Sequence, residues 1–283
     1  MRRTTLATVA LIPACALALT ACGSQKAGAS AGASVSVAPD AGQNNAHLTE
    51  AQLLARFKTA LGSATALHMK GSMTDDSSGQ TVTTNMDIQI NKGGSGQGTI
   101  SEGGMTMPVI SIGSTTYVQA TSSYVSLLKQ GSSIAGAADP ALAAFYTQLT
   151  VGKWLKYTGT GAADAGFGSM LDFSQMTTQL ADNKSDTFTY LGTGTLDGQQ
   201  VAQYKDHSTD GSSPDATMSI PLTGSPLPLQ EDAGKQGKMT FTWNQPTTVT
   251  APPANEIIDV PAALLGDDSS SGSASVAPSA AAS

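Results

Sequence analysis

Among the residues of this 283-residue chain that carry chemistry, Cys22 has the most telling surroundings. It closes Leu19-Thr20-Ala21-Cys22, behind an apolar run that follows Met1-Arg2-Arg3, and Gly23-Ser24 come next. The run from Thr4 to Ala21 contains Pro13, is shorter than a bilayer-spanning helix needs and ends in small residues. It therefore reads as an export signal and not as a membrane span. The four residues ending at Cys22 have the form of a bacterial lipobox, at which the thiol is acylated and residues 1–21 are removed. Cys15, preceded by Ile12-Pro13-Ala14, reads as a small hydrophobe of the signal. Its loss leaves Cys22 with no partner for an intramolecular disulfide, and the mature chain with no cysteine-based metal site. Each acyl methylene that enters a bilayer contributes about 0.8 kcal/mol, and two or more chains hold a protein there stably. The expected location is the extracytoplasmic face of the cell membrane, through a lipid anchor.

The remaining chemistry is sparse. Catalysis needs convergent titratable groups, and His47, His68 and His207 are the only imidazoles. His68 is expected on the polar side of a strand, and His207 lies in a loop-like Asp206-His207-Ser208. No G-x-S-x-G elbow presents a serine nucleophile. His207 is flanked by Asp206 and Asp210 but has no second His at ligand spacing, so it reads as solvated and not as a metal ligand. Gly192-Thr193-Gly194 with Gly198 joins two strands instead of opening a helix, which marks a hairpin and not a phosphate loop. Neither enzymatic activity nor a cofactor or metal is expected. With 14 basic and 21 acidic residues the formal charge is −7, and no basic stripe occurs. That balance argues against nucleic acid as a partner, because phosphate contacts need Lys and Arg. It also argues against electrostatic docking on anionic lipid heads, so membrane proximity has to come from the anchor.

These residues need a scaffold, and composition sets its limits. Residues 22–46 are small, polar and aperiodic, as are residues 267–283, and neither stretch can bury enough apolar surface to offset ordering entropy. The first reads as a lipidated flexible linker spanning roughly 25–30 Å, the second as a Ser/Ala-rich tail. The block 47–266 is expected to form one domain. Charged residues are 12% of the chain, about half the usual share, while Thr, Ser and Gly abound.

Thr49 with Gln52 three residues later forms a capping-box pattern, and Leu53, Phe57 and Leu61 recur at helical spacing until Gly62 and Ser63. Strands follow. Leu67, Met69 and Met73 alternate with His68, Lys70 and Ser72, and from Val82 the residues Met86, Ile88 and Ile90 alternate with Asn85, Asp87 and Gln89. Turns are expected at Lys92 to Gly96, Gly103-Gly104 and Gly113-Ser114. Met105 to Ile112 runs between the last two, with Pro108 suggesting an edge or a bulge. Pro140 to Leu149 is helical by pattern, with Asp139 as its cap and Leu142, Phe145 and Leu149 on one face. Ser169 to Leu180, carrying Met170, Phe173, Met176 and Leu180, is a second helix, and Trp154 to Tyr157 is a strand between the two. Phe188 and Tyr190 lead through the Leu196-Asp197-Gly198-Gln199 turn to Val201–Tyr204. Met239, Phe241 and Trp243 mark a later strand, and Ile257 to Val260 closes the domain. Methionine is plentiful on these faces, and unbranched thioether chains either fill core gaps or repack around ligands of varied shape.

The order of motifs resembles the LppX/LprAFG-type envelope lipoproteins of actinobacteria. Gly113 to Val118 is similar to that family's turn before a Tyr-Val strand, Gly152 to Lys156 to its Trp strand, and Leu196 to Tyr204 to its Asp-Gly hairpin. Pro226-Leu227-Pro228 and the segment from Trp243-Asn244-Gln245-Pro246 to Ala251-Pro252-Pro253 resemble its end. The resemblance covers most of 48 to 262. It implies an α+β fold: a curved antiparallel sheet, the LolA-like half-barrel, with helices packed on the concave face and an acyl-lipid cavity between. On that footing Met86, Ile88, Met107, Leu142, Phe145, Leu149, Met170 and Met176 are the candidate lining, and the two helices form a movable wall hinged at Gly161, Gly166 and Gly168. The function implied is to bind and carry an acyl lipid or glycolipid without catalysis. The alternative is an envelope interaction or sensory lipoprotein whose interior is filled by its own side chains and which contacts another envelope protein.

Overall fold

The computed structural model describes residues 42–75, 81–135, 140–158, 170–181, 186–209 and 214–261. Cys22, the hinge glycines 161, 166 and 168, the Asp139 cap and the Ser/Ala tail lie outside them.

Helix α1 (Glu50–Ser63) starts where the sequence requires. Thr49 Oγ1 accepts from the Gln52 amide at 3.4 Å, and Gln52 Oε1 accepts from the Thr49 amide at 3.0 Å. Twelve strands follow among the described residues: β1 (Ala66–Asp75), β2 (Val82–Asn91), β3 (Ser95–Glu102), β4 (Met105–Ile112), β5 (Thr115–Gln119), β6 (Trp154–Thr158), β7 (Asp186–Leu196), β8 (Gln199–Ser208), β9 (Ala216–Pro221), β10 (Gln230–Asp232), β11 (Gly237–Trp243) and β12 (Ile257–Asp259). Helices α2 (Ser122–Ala135) and α3 (Pro140–Gln148) lie between β5 and β6 in the chain, and α4 (Phe173–Ala181) between β6 and β7. The class is α+β, with antiparallel pairing throughout the described ladders except the parallel β12–β6 pair.

The strands fall into two compact units, and β1 gives its first residues to one and its last to the other. In one unit the hydrogen-bonded order is β11-β10-β9-β8-β7, an open array. Here Leu53 of α1 packs with Ala202, Tyr204 and Ile220, and Phe188, Tyr190 and Met218 close around them. The chain enters this unit by a clamp. The Tyr204 hydroxyl donates to the Asn45 carbonyl at 2.6 Å and accepts from the Leu48 amide at 3.1 Å. Asn45 is fully buried; its side-chain amide donates to the Pro221 and Gly224 carbonyls, and Asn44 bridges to Thr223. Ordered pairing thus begins inside the stretch whose composition reads as linker.

In the other unit the order is β12-β6-β5-β4-β3-β2, again open. Pro108 stands inside this array and not at its rim, opposite Thr99 in unbroken register. It is tolerated because the β4–β5 ladder covers only Val109 to Ile112, so no partner on that side needs the missing amide. The Gly113 turn forms as expected, with φ at 60°. Met73, expected to share a buried face with Leu67 and Met69, is 54% exposed, because β1 loses its covering toward its end.

Candidate functional site

Opposed residues in an antiparallel ladder share a face, so the register of β2 to β6 fixes what lies together. Ile90, Gly96, Ser111, Thr116 and Tyr157 form one cross-strand row. Ile88, Gly98, Val109, Val118 and Leu155 form the next, which Ile258 of β12 extends. Met86, Ile100 and Met107 make a third row, and Thr84, Glu102 and Met105 a fourth. The face is hydroxyl-rich at one end, aliphatic in the middle, and methionine-rich with a polar rim at the other. Thr84 Oγ1 donates to Glu102 Oε2 at 3.0 Å on that rim.

Two elements demonstrably cover this face. Tyr124, in the first turn of α2, brings its hydroxyl to 3.0 Å from that of Tyr157. Leu171, just before α4, sits in the notch that Gly96 leaves: a Cβ at Gly96 would lie 3.3 Å from the Leu171 side chain. Burial raises the pKa of both phenols, and Tyr157 is raised further by the nearby Tyr124; the hydrogen bond to Tyr157 lowers Tyr124 by less than burial raises it. Both hydroxyls therefore stay protonated at any ordinary pH.

The candidate lining residues are distributed unevenly. Ile88 and Met107 lie on the shared face of the second and third rows, 0% and 4% exposed, and Met86 joins Met107 in the third row but is half-buried. Phe145 is buried on α3. Leu149 follows the end of α3 and is completely buried. Met170, just before α4, and Met176, within it, are half-buried. The Leu142 side chain lies outside the described residues. The row of Ser111, Thr116 and Tyr157, with Tyr124 above it, was not among the lining residues read from sequence. The Trp154 to Tyr157 alternation held a signal for Tyr157, and in α2 Tyr124, Leu127 and Leu128 recur at helical spacing, although five serines and Gly131 dilute the pattern.

The titratable groups are held elsewhere. His68 Nε2 lies 2.7 Å from Asp87 Oδ1, and Lys70 pairs with the other oxygen at 2.9 Å; these hydrogen bonds hold Asp87 below the ordinary carboxylate range. Lys205, and then His207, do the same to Asp215. Among the described residues no group of three or more His, Cys, Asp or Glu is arranged to hold a metal ion. A separate groove of about 580 Å³ lies on the β8–β10 surface, lined by Gln203, Lys205, Thr217, Ser219, Gln230 and Asp232 among others. No described helix is long and apolar enough to cross a membrane.

No protein-family model matches the chain, and neither does the sequence of any curated protein. Solved structures do resemble it. LprF from Mycobacterium bovis aligns at 12% identity over 71% of this chain and 95% of that one, with a TM-score of 0.44. A putative outer membrane lipoprotein-sorting protein domain from Vibrio parahaemolyticus aligns at 11% identity over 68% and 89%, with a TM-score of 0.21. A LolA superfamily protein from Nitrosomonas europaea aligns at 9% identity over 78% and 99%, with a TM-score of 0.25.

Proposed function

We propose that this chain is an envelope lipoprotein, held outside the cell membrane through Cys22, that binds and carries an acyl lipid or glycolipid on the β2–β6 face. The observation that carries the reading is the gradient along that face. Four rows run from hydroxyls through aliphatic side chains to methionines, and burial falls off at the methionine end, where Met86 and Met105 are half-buried. Compliant thioether chains at a half-covered margin suit entry of an acyl chain, which would displace Leu171 and draw Met170 and Met176 aside. From Ser111 to Met105 the strand spans about 20 Å, the length of an extended palmitoyl chain. Burial at about 25 cal/mol per Å² supplies the affinity without covalent chemistry.

The test is the lipid content of the mature chain purified as Cys22→Ser, so that it carries no acyl group of its own. Stoichiometric acyl lipid in its organic extract is the expected result. An empty extract, with no uptake from phospholipid vesicles, overturns the reading.

One observation favours a second reading, that of an envelope interaction or sensory lipoprotein with a closed core and no lipid ligand. Ile88, Ile100, Val118 and Leu155 expose no surface at all, even to an internal void. On that reading the same extract is empty and the unit unfolds in one cooperative step with or without vesicles.

A further inference from the structure

The hydroxyl end of the β2–β6 face holds more hydrogen-bonding capacity than it uses. Tyr124 and Tyr157 are each more than nine-tenths buried, and their hydroxyls lie 3.0 Å apart. One hydrogen bond joins them. Whichever phenol donates, the other keeps an O–H that has no acceptor among the described residues, and an unmet buried donor costs about 1–3 kcal/mol. Thr116, directly opposite Tyr157, and Ser111, opposite Thr116, bring two more buried hydroxyls to the same row.

The row contains Ile90, Gly96, Ser111, Thr116 and Tyr157 and no cationic side chain. Lys156 belongs to the opposite face, where it pairs with Asp259 at 3.0 Å. A free carboxylate brought here would be desolvated without a counter-charge, which is costly. A neutral carbonyl oxygen would take the spare proton at no such cost.

We infer that Tyr124 and Tyr157, with Thr116 and Ser111 beside them, form a subsite for an ester carbonyl, so that the face selects esterified acyl chains over free fatty acids. This rests on the carrier reading and specifies its ligand class. The row lies two residues from the turns that begin after Asn91 and Ile112. A carbonyl bound there leaves the headgroup at the strand ends, while the acyl chain runs along the aliphatic rows toward Met107 and Met86.

The experiment compares methyl palmitate, palmitate at pH 8 and hexadecane, titrated into the mature Cys22→Ser chain and into three variants of it. The expected order is ester tightest, by about tenfold over hexadecane, the worth of one hydrogen bond of about 1.4 kcal/mol. Tyr124→Phe and Tyr157→Phe each leave one phenol with a free proton and keep most of the ester preference. The double variant removes both hydroxyls, leaves nothing unpaired, and is expected to fold as well as the parent while binding ester and hydrocarbon equally. A latch with a purely structural role would be broken by either single change and would not alter the ratio between probes. Equal affinity for ester and hydrocarbon in the parent overturns the subsite, as does a preference that survives in the double variant. If none of the three probes binds, the carrier reading falls and the subsite with it.

Discussion

Asp206 of β8 has a carboxylate oxygen that is buried and makes no hydrogen bond. The register places it on the face that carries Tyr204, Met218 and Glu231. Burial, and then the charges of Asp186, Glu231 and Asp215, push its pKa up to about 7, and burial with the Asp186 charge raises Glu231 as well. A carboxyl group with a raised pKa holds its proton more tightly in the folded chain than in the unfolded one. Protonation therefore favours folding, and the stabilisation is lost as pH rises from about 4 through 7. Asp87, Asp215 and Asp232 are shifted the opposite way, below 3.8, so they titrate outside that window. The melting temperature is expected to fall between pH 5 and pH 8. Asp206→Asn should flatten that slope and add about 1–2 kcal/mol at pH 8, less than the full shift because the group keeps some contact with water. Thermal unfolding of the two proteins at both pH values decides it, and a variant less stable at pH 8 refutes the burial argument. The sequence hides this role. Asp206 adjoins His207 and reads as solvated, although the alternation of Tyr204 and Asp206 against Lys205 and His207 already separates the faces.

At the scale of elements, the periodic segments were legible and the short or obscured ones were not. The capping box of α1, the alternation in β2 and the Asp197-Gly198 hairpin each rest on local chemistry that no distant contact overrides; Asp197 and Gly198 both adopt positive φ, at 47° and 82°. Strand β9 and the three-residue β10 escaped because both are short and neither alternates cleanly between buried and exposed positions. Helix α4 begins at Phe173, later than Ser169, after Asp172 caps it by accepting from the Gln175 amide at 3.0 Å. Gly98 is a case in which the residue type is dictated by a neighbour: a Cβ there would meet the Asp87 carbonyl oxygen at 2.2 Å. Since that contact is backbone and cannot swing aside, Gly98→Ala is expected to force β2 and β3 apart and cost more than about 2 kcal/mol. Urea unfolding measures it, with Gly93→Ala in the nearby turn, where a Cβ meets nothing within 4 Å, as a control expected to be nearly neutral.

For the molecule as a whole, two properties come from opposite ends of the argument. The anchor is a matter of four residues and a thiol, and its proposal is checked by fractionation: Cys22→Ser should shift the chain from the membrane pellet to the soluble envelope fraction, and unchanged sedimentation would show that something else retains it. The expectation of a LolA-like half-barrel rests on motif order, because each motif alone is weak and only their sequence along the chain discriminates. What order cannot convey is where side chains end. The hydroxyl row depends on register across five strands, and its partner Tyr124 sits on a helix whose apolar spacing is diluted by five serines.

The clamp at Asn45 has a mechanical consequence. A chain tied to a surface at one end feels every drag on its folded body as tension at the point of attachment. With the anchor proposed at Cys22, that tension would arrive at Asn44 and Asn45 before it reached α1, and there it would meet the Thr223 bridge, the Leu222 carbonyl and the Tyr204 hydroxyl. The load would then pass into the strands and spare the helix, so that a pull from the anchored end would not unwind the chain from its first turn.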